Sequence, residues 1–338
     1  MRETGYMTDE GYVNWGFIGA GGLATSATAQ SMHNAKNATL YAAAARDMGR
    51  AQSLSPKIAY DSYEKLIQDP QVDAVYISLN NDAHLLWIIK SLDAGKHVLC
   101  EKPMVMNAGD TITAYEHAQN KGLLLVEAVW MLWHPRTQRL QELVSSNAIG
   151  SPTNYLGTFT FDSVTPGNYR LDPTKGGGAL YDVGIYPLHA LVALLAEDTI
   201  YTVTTAHSEK LDKQVDMTMK AQFNFNNAQC KGSGAIVASF AMHPSQRFVL
   251  KGTEGEITLP GDQAFTSYNQ ESKLTITTKG KTGTEKFTAV DPYQLMFENM
   301  SDRISGNGGW LPNPWQSVQV ARIVDQVFKS AQASAELP

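Results

Sequence analysis

Residues able to transfer a proton or to polarise a carbonyl group fall in two separate stretches of the chain. The first ends in Glu101-Lys102-Pro103, directly after the apolar run Val98-Leu99-Cys100. A lysine at the carboxyl end of such a strand would lie at the edge where open α/β sheets bind ligands. The proline ring restricts the backbone on either side. Because most lysines are solvated surface residues, the interpretation of Lys102 as functional depends on the rest of the sequence.

The second stretch carries polar residues on an apolar segment. Three glycines, Gly176 to Gly178, precede residues 179–195, and glycines at such a place let a helix start meet another backbone or a ligand. Asp182 and Tyr186 are four positions apart and His189 is three further on, so a helix would place them on one face. Buried polar groups are costly unless they are hydrogen-bonded or functional. A purely structural network is therefore the competing interpretation.

A glycine pattern in the first strand–helix turn indicates a dinucleotide site. Val13 to Ile18 is the predicted strand and Leu23 to His33 the predicted helix. Gly19 would permit the tight turn, Gly21 would let the backbone approach a pyrophosphate, and small Ala24 would let the helix pack on the strand. The N–H groups of the helix start would face the phosphates. The predicted phosphate-binding residues are Gly19, Gly21, Gly22, Leu23 and Ala24.

The end of the second strand bears on the choice between NAD and NADP. An NAD enzyme usually carries an acid here that holds the ribose 2′-hydroxyl. The strand Thr39 to Ala45 is followed instead by Arg46, whose guanidinium suits a 2′-phosphate. Arg50 lies one helical turn further on and is predicted to assist. Asp47 is discordant because it could face the ribose hydroxyls. We predict NADP, with NAD the less favoured alternative.

Strand and helix patterns alternate over residues 1–131, which predicts a doubly wound parallel sheet. The strand Asp73 to Leu79 ends in Asn80, and His84 begins the next helix. Parallel strands share one carboxyl edge, so the residues that follow them should line the same crevice. The further predicted cofactor-binding residues are Asn80, His84, Glu101 and Lys102.

The pair of a lysine and a tyrosine suggests a mechanism for hydride transfer. Reduction of a ketone requires a proton for the oxyanion, and the reverse oxidation requires a base for the hydroxyl proton. A free tyrosine has a pKa of about 10, and a nearby lysine favours its ionised form. We predict Tyr186 as the acid/base, Lys102 as its electrostatic partner, and Asp182 as a residue that holds a substrate hydroxyl or orients the pair. Arg170 and His189 are predicted to contact the substrate as well.

Residues 132–338 change pattern and are predicted to form an α+β domain. Apolar and polar residues alternate from Val215 to Phe225, which is typical of a sheet with one buried and one wet face. Further strand-like segments follow, and helices should begin at Asp291-Pro292 and Asn313-Pro314. These terminal helices could pack back on the first domain. The predicted fold class is α/β: an N-terminal Rossmann domain, then a C-terminal α+β domain on an open, mostly antiparallel sheet.

Composition excludes several classes of protein. The 338-residue chain has 43% hydrophobic and 18% charged residues and a net charge of −6, without a Lys/Arg block, so nucleic acid is not an expected partner. Cys100 and Cys230 form no disulfide framework or metal pattern, and no metal is expected. Residues 1–12 lack the apolar core of a signal peptide, and Leu123 to Trp133 is too short for a membrane span. We expect a soluble cytoplasmic protein without membrane contact.

The glycine fingerprint, Glu101-Lys102-Pro103 and the segment Gly176 to Tyr186 together resemble the glucose–fructose oxidoreductase family (Gfo/Idh/MocA) of Rossmann-type sugar dehydrogenases. The resemblance extends from Trp15 to the last helices. It implies a cis peptide before Pro103 and a C-terminal open sheet that often mediates dimerisation. It also places Lys102 and Asp182 on the family's catalytic lysine and aspartate, and Tyr186 where many members have histidine.

Within the family, two subgroups compete. Ala45-Arg46-Asp47, Leu99 to Met104 and the Tyr186 segment look like the NADP-dependent dihydrodiol and D-xylose dehydrogenases. Met131-Leu132-Trp133-His134-Pro135 departs from the Arg-containing run of those enzymes and looks more like the nucleotide-sugar ketoreductases.

Three functions remain as hypotheses. The leading one is an NAD(P)-dependent oxidoreductase that transfers hydride between nicotinamide and a sugar or polyhydroxy substrate and assembles as a homo-oligomer, such as a dimer, through its C-terminal sheet. The first alternative is an NADPH-dependent ketoreductase of a nucleotide-linked ketosugar. The second is a non-catalytic NADP sensor, against which the complete set of Lys102, Asp182 and Tyr186 argues.

Overall fold

The computed structural model describes residues 12–211 and 215–335, and the chain folds into two compact units. Unit 1 comprises the residues up to Met104, Ile112–Trp130 and Asp291–Asn313; unit 2 comprises Val105–Thr111, Met131–Val290 and the residues from Pro314. The sequence predicts a single boundary after residue 131. In the structure two segments depart from it: residues 105–111 belong to unit 2, and residues 291–313 belong to unit 1. Residues 1–11, which bear on the signal-peptide prediction, lie outside the described residues.

Unit 1 is built on six parallel strands: β1 (Val13–Ile18), β2 (Ala38–Ala44), β3 (Ile58–Tyr60), β4 (Ala74–Ile77), β5 (His97–Glu101) and β6 (Leu125–Ala128). Their order in the sheet is β3-β2-β1-β4-β5-β6. The order reverses between β1 and β4, which opens a crevice at the carboxyl ends of the strands. Apolar side chains bury β1 and β4 over their full length. The predicted parallel sheet is confirmed, although the short edge strand β3 was not predicted.

Five helices connect these strands: α1 (Ala29–His33), which continues a π-helical turn over Ala24–Thr28, then α2 (Met48–Gln52), α3 (Tyr63–Gln68), α4 (Asn81–Asp93) and α5 (Ala108–Lys121). The sequence predicts a capping box that begins at Asp61. The structure places the cap of α3 one residue later, where Ser62 Oγ accepts a hydrogen bond from the Lys65 N–H at 3.4 Å. Helix α2 was not predicted.

Unit 2 is built on eight strands: β7 (Pro152–Thr160), β8 (Ile200–Leu211), β9 (Val215–Asn226), β10 (Lys231–Ser239), β11 (Ser245–Gly252), β12 (Gly255–Leu259), β13 (Ser272–Thr278) and β14 (Lys281–Phe287). They lie in the order β14-β13-β12-β11-β7-β10-β9-β8. All neighbours are antiparallel except β7 and β10. The predicted mostly antiparallel sheet is therefore confirmed.

Strand β9 departs from the predicted alternation over its first five residues, 215–219. From Lys220 onward every second residue is exposed, as predicted. Asp216 and Thr218, which the pattern places on the wet face, are instead buried at 5% and 2% exposure. Asp216 accepts a hydrogen bond from the Leu180 N–H, and Thr218 shares one with the Ser239 hydroxyl, so both polar side chains are satisfied in the interior and the alternation is overridden.

Four further α-helices are α6 (Pro135–Ser145), α7 (Ile185–Val192), which continues a π-helical turn over Leu180–Gly184, α8 (Pro292–Ile304) and α9 (Pro314–Ala335). Short 3₁₀-helices span Trp130–Trp133, Tyr169–Leu171 and Pro173–Lys175. Helix α8 belongs to unit 1, where the Trp15 Nε1–H donates to Ser301 Oγ at 2.9 Å. Helix α9 belongs to unit 2, where the Val203 N–H donates to Gln326. Only the first of the two terminal helices thus joins the parallel sheet. Among the described residues, no helix combines the length and apolarity needed to cross a bilayer.

Candidate active site

The turn after β1 has the form that the glycine pattern predicts. Gly19 has a φ of 102°, and a β-carbon there would collide with the Ser78 carbonyl oxygen at the end of β4. Ala24 is completely buried, so the helix start packs tightly on the sheet. Because the first N–H groups of a helix have no partner within the helix, this turn presents donors at the crevice. That arrangement suits a pyrophosphate.

Two arginines flank this turn. The Arg50 Nε–H and Nη2–H both donate to the Ala20 carbonyl, at 3.1 and 2.5 Å. Arg46 is exposed at the end of β2. Burial raises the pKa of Tyr63, while the charges of Arg46 and Arg50 act to lower it. The segment after β2 therefore carries two positively charged side chains, and one of them, Arg50 in α2, is bonded to the glycine turn.

Asp47, which the sequence left open as a ribose-binding acid, has a structural role. It is the N-cap of α2, and its Oδ1 accepts a hydrogen bond from the Arg50 N–H at 3.0 Å. A carboxylate at this place satisfies the helix start. The geometry leaves Arg46 as the first charged group beyond β2 that has no capping duty.

His84 does not fit its predicted role in cofactor binding. Its ring is completely buried, with Nδ1 2.9 Å from the Pro103 carbonyl oxygen and Nε2 3.1 Å from that of Leu79. Burial lowers the pKa of His84, and a neutral ring donates to one of the two carbonyls at a time. His84 therefore ties the end of β4 to the segment after Lys102. Asn80 is half-buried as the N-cap residue of α4, and its contact with cofactor stays a prediction.

Glu101 also faces inward. Its Oε1 accepts a hydrogen bond from the Tyr76 hydroxyl at 2.6 Å, and its Oε2 accepts one from the Lys102 N–H at 3.2 Å. Burial raises the pKa of Glu101 to about 7, against the opposing charge of Lys102. This geometry argues against the predicted contact between the carboxylate and a cofactor. Glu101 instead holds the backbone of Lys102.

Lys102 lies at the carboxyl end of β5, as predicted, and is partly exposed. The peptide bond between Lys102 and Pro103 is cis, which confirms what the family resemblance implied. The lysine therefore stands at the same edge of the parallel sheet as the glycine turn, in the position where open α/β sheets bind ligands.

In unit 2, three predicted site residues come together. The Arg170 Nε–H donates to Asp182 Oδ2 at 2.6 Å, and the Asp182 side chain is only 8% exposed. Burial acts to lower the pKa of Arg170, but the Asp182 carboxylate outweighs it and the pKa is raised. Tyr186 also interacts electrostatically with Arg170. Arg170, predicted to contact substrate, is thus bound to Asp182.

The Tyr186 ring lies against an aromatic wall. It is 6% exposed, and its centroid is 5.5 Å from that of Phe159. Phe159 in turn stacks on Phe265 at 6.1 Å. His189 is buried further along α7 at 2% exposure, and its contact with substrate stays a prediction. The π-helical turn that contains Asp182 ends just before Tyr186, and such turns are frequent at functional sites.

The three glycines connect the Arg170 loop to the helix start. The Gly178 N–H donates to the Arg170 carbonyl at 2.9 Å, and the Gly177 N–H donates to that of Asp172 at 3.0 Å. A β-carbon at position 177 would collide with the Arg170 carbonyl, and one at position 178 would collide with Asp216. The prediction that the glycines let a helix start meet another backbone is confirmed. We call Gly176–Gly178 the glycine arch.

Asp216 is the site residue that sequence reasoning missed. Its Oδ2 accepts a hydrogen bond from the Leu180 N–H at 2.8 Å, and its other oxygen abuts Gly178. The carboxylate therefore caps the helix that carries Asp182. The alternation of β9 placed Asp216 on the wet face, so the one sequence signal for its role is the requirement for glycine at position 178.

Two family models match the chain. The model of the Gfo/Idh/MocA oxidoreductase family, NAD-binding Rossmann fold, matches residues 13–129, and that of the GFO/IDH/MocA C-terminal domain matches residues 137–258. Together they cover most of both units.

Similar proteins of known name span much of the chain. D-Xylose 1-dehydrogenase (NADP(+)) 2 of Haloferax volcanii is 29% identical over 95% of this chain and 98% of its own length. Trans-1,2-dihydrobenzene-1,2-diol dehydrogenase of Mus musculus is 32% identical over 72% and 73%. The dTDP-3,4-didehydro-2,6-dideoxy-alpha-D-glucose 3-reductase of Saccharopolyspora spinosa is 30% identical over 75% and 76%. The resemblance to dihydrodiol and D-xylose dehydrogenases is confirmed.

A solved structure shares the fold over nearly the whole chain. It is that of a 3-ketoreductase from Actinomadura kijaniata in complex with NADP and TDP-benzene, with a TM-score of 0.83, 23% identity, and coverage of 94% of this chain and 98% of that one. At this identity the likeness supports the fold, with its Rossmann sheet and its second, mixed sheet.

Proposed function

The chain belongs to the Gfo/Idh/MocA family, and on this premise we propose that Tyr186 is the acid/base of an NADP-dependent dehydrogenase for sugars or other polyhydroxy compounds. The protein is an NADP-dependent oxidoreductase that acts on CH–OH groups. The observation that carries the proposal is the cluster in unit 2, where Tyr186 of the largely apolar helix α7 interacts electrostatically with Arg170 of the Arg170–Asp182 ion pair. A buried charged cluster of this kind is a candidate for function.

The residues of unit 1 suit NADP. The glycine turn offers N–H donors for the pyrophosphate, and Arg46 and Arg50 place two positive charges where a 2′-phosphate would bind, while Asp47 is used as a cap. When bound, the nicotinamide supplies or accepts the hydride. Asn80 and Lys102 complete the proposed contacts at the carboxyl edge of the sheet.

In the proposed oxidation, the Tyr186 oxygen takes the proton of the substrate hydroxyl as the adjacent carbon loses hydride. In reduction it returns the proton to the oxyanion. Lys102 supplies a positive charge that favours tyrosinate and polarises the carbonyl. Asp182 accepts a hydrogen bond from a neighbouring substrate hydroxyl. Arg170 and His189 would line the same substrate.

The test is the rate of NADP⁺ reduction with a panel of free aldoses, cyclitols and diols, with NAD⁺ alongside. Turnover of at least one free sugar or diol, lost in Tyr186→Phe while NADPH still binds, is the expected result. A fully active phenylalanine variant would contradict the role of Tyr186. Lys102→Met should lower kcat in the same assay without loss of fold.

The second candidate is an NADPH-dependent reductase of a nucleotide-linked ketosugar. It is favoured by the run Trp133-His134-Pro135, which resembles the nucleotide-sugar ketoreductases, and by the likeness to the Saccharopolyspora spinosa 3-reductase. No turnover of any free sugar, with NADPH bound and a dTDP-linked ketosugar reduced, would select this candidate. Binding of NADPH with no turnover of either class would instead favour a sensor.

We also propose that the protein forms a dimer through the sheet of unit 2. Strand β9 leaves one face of this sheet open, with Lys220, Gln222, Asn224 and Asn226 exposed. Light scattering during size-exclusion chromatography would measure the mass of the particle. A monomer at micromolar concentration would contradict this proposal.

A further inference from the structure

We propose that Arg170 is a positioning residue: its guanidinium orients Asp182 and balances its charge, so that this buried carboxylate does not oppose deprotonation of the neighbouring Tyr186 hydroxyl. The inference rests on the proposed role of Tyr186 as acid/base. In this arrangement Arg170 and Asp182 act as one unit rather than as separate contacts for the substrate.

The geometry of the pair supports a fixed orientation. The Nε–H of Arg170 donates to Asp182 Oδ2 at 2.6 Å, and exposure is 32% for the arginine and 8% for the aspartate side chain. A carboxylate this deeply buried is strongly destabilised unless it is paired. Short charge-assisted bonds of this kind have a defined direction. The second oxygen of Asp182 is therefore held in one position relative to the helix.

The charge balance rests on the interactions of Arg170 with both residues. Asp182 lies in the π-helical turn that leads into α7, four positions before Tyr186. A lone negative charge beside a tyrosine disfavours tyrosinate, whereas a positive charge favours it. Arg170 interacts with both groups, so the pair presents Tyr186 with one positive and one negative charge.

Other titratable groups lie on the elements around Tyr186 and Arg170. On its own helix, His189 follows it by one turn. From β7, the Tyr155 hydroxyl donates to the Pro187 carbonyl at 2.8 Å. From β9, Asp216 accepts the Leu180 N–H. Beside Arg170, the Tyr169 ring lies 5.0 Å from the guanidinium carbon. Arg170 adds a permanent positive charge to this set, in addition to the charge of Lys102 that is proposed above to favour tyrosinate.

The backbone of Arg170 is held on both sides. Its N–H donates to Asn168 Oδ1 at 3.0 Å, and its carbonyl accepts the Gly178 N–H of the glycine arch at 2.9 Å. The arch thereby connects the loop that carries Arg170 to the helix that carries Asp182. The position of the charge is part of the fold and does not depend on a substrate.

The first test is the pH dependence of kcat for oxidation in Arg170→Gln, Arg170→Lys and the double variant Arg170→Gln/Asp182→Asn. In Arg170→Gln the alkaline rise of kcat should move up by about one pH unit or more, because an uncompensated carboxylate remains beside Tyr186. In Arg170→Lys part of this shift should be reversed. The double variant should return the rise toward its wild-type position, because both charges are gone, although KM for substrate should increase.

A merely structural role would not give this pattern. If the rise of kcat in Arg170→Gln coincided with that of the wild type, with NADPH binding intact, the inference would be overturned. It would also be overturned if the double variant behaved like Arg170→Gln. Should Arg170→Gln fail to fold, the neutral double variant and Arg170→Lys carry the comparison.

A second measurement does not require turnover. The tyrosinate absorbance of the wild type minus that of Tyr186→Phe isolates one of the 14 tyrosines during a pH titration, and the same difference is taken in the Arg170→Gln background. We expect Tyr186 to ionise at higher pH in the Arg170→Gln variant than in the wild type. Inactivity on every substrate would defeat the proposed function, but the titration would still decide the role of Arg170. An active enzyme with unchanged titrations would defeat the role of Arg170 alone.

Discussion

Tyr76 donates a hydrogen bond of 2.6 Å to Glu101 in the interior of unit 1, and the other oxygen of Glu101 accepts the N–H of Lys102. The backbone of the lysine proposed to act on the substrate is therefore held by the carboxyl group of the preceding residue. Because Tyr76 and Glu101 lie on adjacent parallel strands, the bond also joins β4 to β5 at their carboxyl ends.

The first prediction concerns this carboxyl group and pH. Its folded pKa is raised by burial from 4.5 to about 7, so the folded state binds a proton more tightly than the unfolded chain. The stabilisation is fully present below about pH 4.5 and is lost as pH rises to about 7, by about 3 kcal/mol. Urea unfolding at several pH values measures the free energy of unfolding, which should fall over this pH range in the wild type and fall less in Glu101→Gln. Identical slopes would mean that Glu101 is not the titrating group.

The second prediction concerns cofactor choice. Arg46→Ala should raise KM for NADP⁺ at least tenfold and leave KM for NAD⁺ nearly unchanged, because only the 2′-phosphate loses its partner. Asp47→Asn is the matched control, since asparagine also caps helices, and it should leave the ratio of the two kcat/KM values unchanged. A large shift toward NADP⁺ in Asp47→Asn would show that Asp47 faces the ribose after all.

The third prediction separates a structural from a cofactor-binding role for His84. His84→Leu removes the donor shared by the Pro103 and Leu79 carbonyls and should lower the free energy of unfolding by about 1–3 kcal/mol. The Kd for NADPH, measured by fluorescence titration in the folded variant, should change less than threefold. A rise of more than tenfold in Kd at unchanged stability would restore the original prediction of direct contact.

The fourth prediction concerns the glycine arch. Gly178→Ala places a β-carbon against Asp216 at a φ of 120°, so it should destabilise the protein by about 2–4 kcal/mol. Gly283→Ala on β14 meets only an ordinary contact with Ile276 at 3.9 Å and is the control, expected within about 0.5 kcal/mol of the wild type. Thermal unfolding of both variants measures the difference. Equal stability would mean that Asp216 can move away at little cost.

Local signals in the sequence predicted the residues at strand ends. The apolar runs of β1 and β4 and the proline after Lys102 are short-range patterns, and the structure places these elements as expected. The edge strand β3 was missed because its three residues are too few to show a pattern. Helix α2 was missed because it has only five residues.

Partners distant in the sequence could not be predicted in the same way. The Arg170–Asp182 bond joins a short 3₁₀-helix, Tyr169–Leu171, to a π-helical turn, and no periodicity in the sequence indicates it. Asp216 was predicted on a wet face because alternation describes a strand without its neighbours, whereas the helix start above it needed an acceptor. The assignment of α8 to unit 1 likewise depends on which core its apolar face joins, and that face looks the same in either case.

The position of α8 has a consequence for synthesis of the chain. The Phe297 ring lies 5.3 Å from both Trp15 and Tyr76 and 5.7 Å from Phe17. A nascent chain that ends before α8 leaves these three rings without that cover. On the ribosome the first unit to emerge is therefore not the first to be finished, and its aromatic core waits until all strands of the second sheet have been translated.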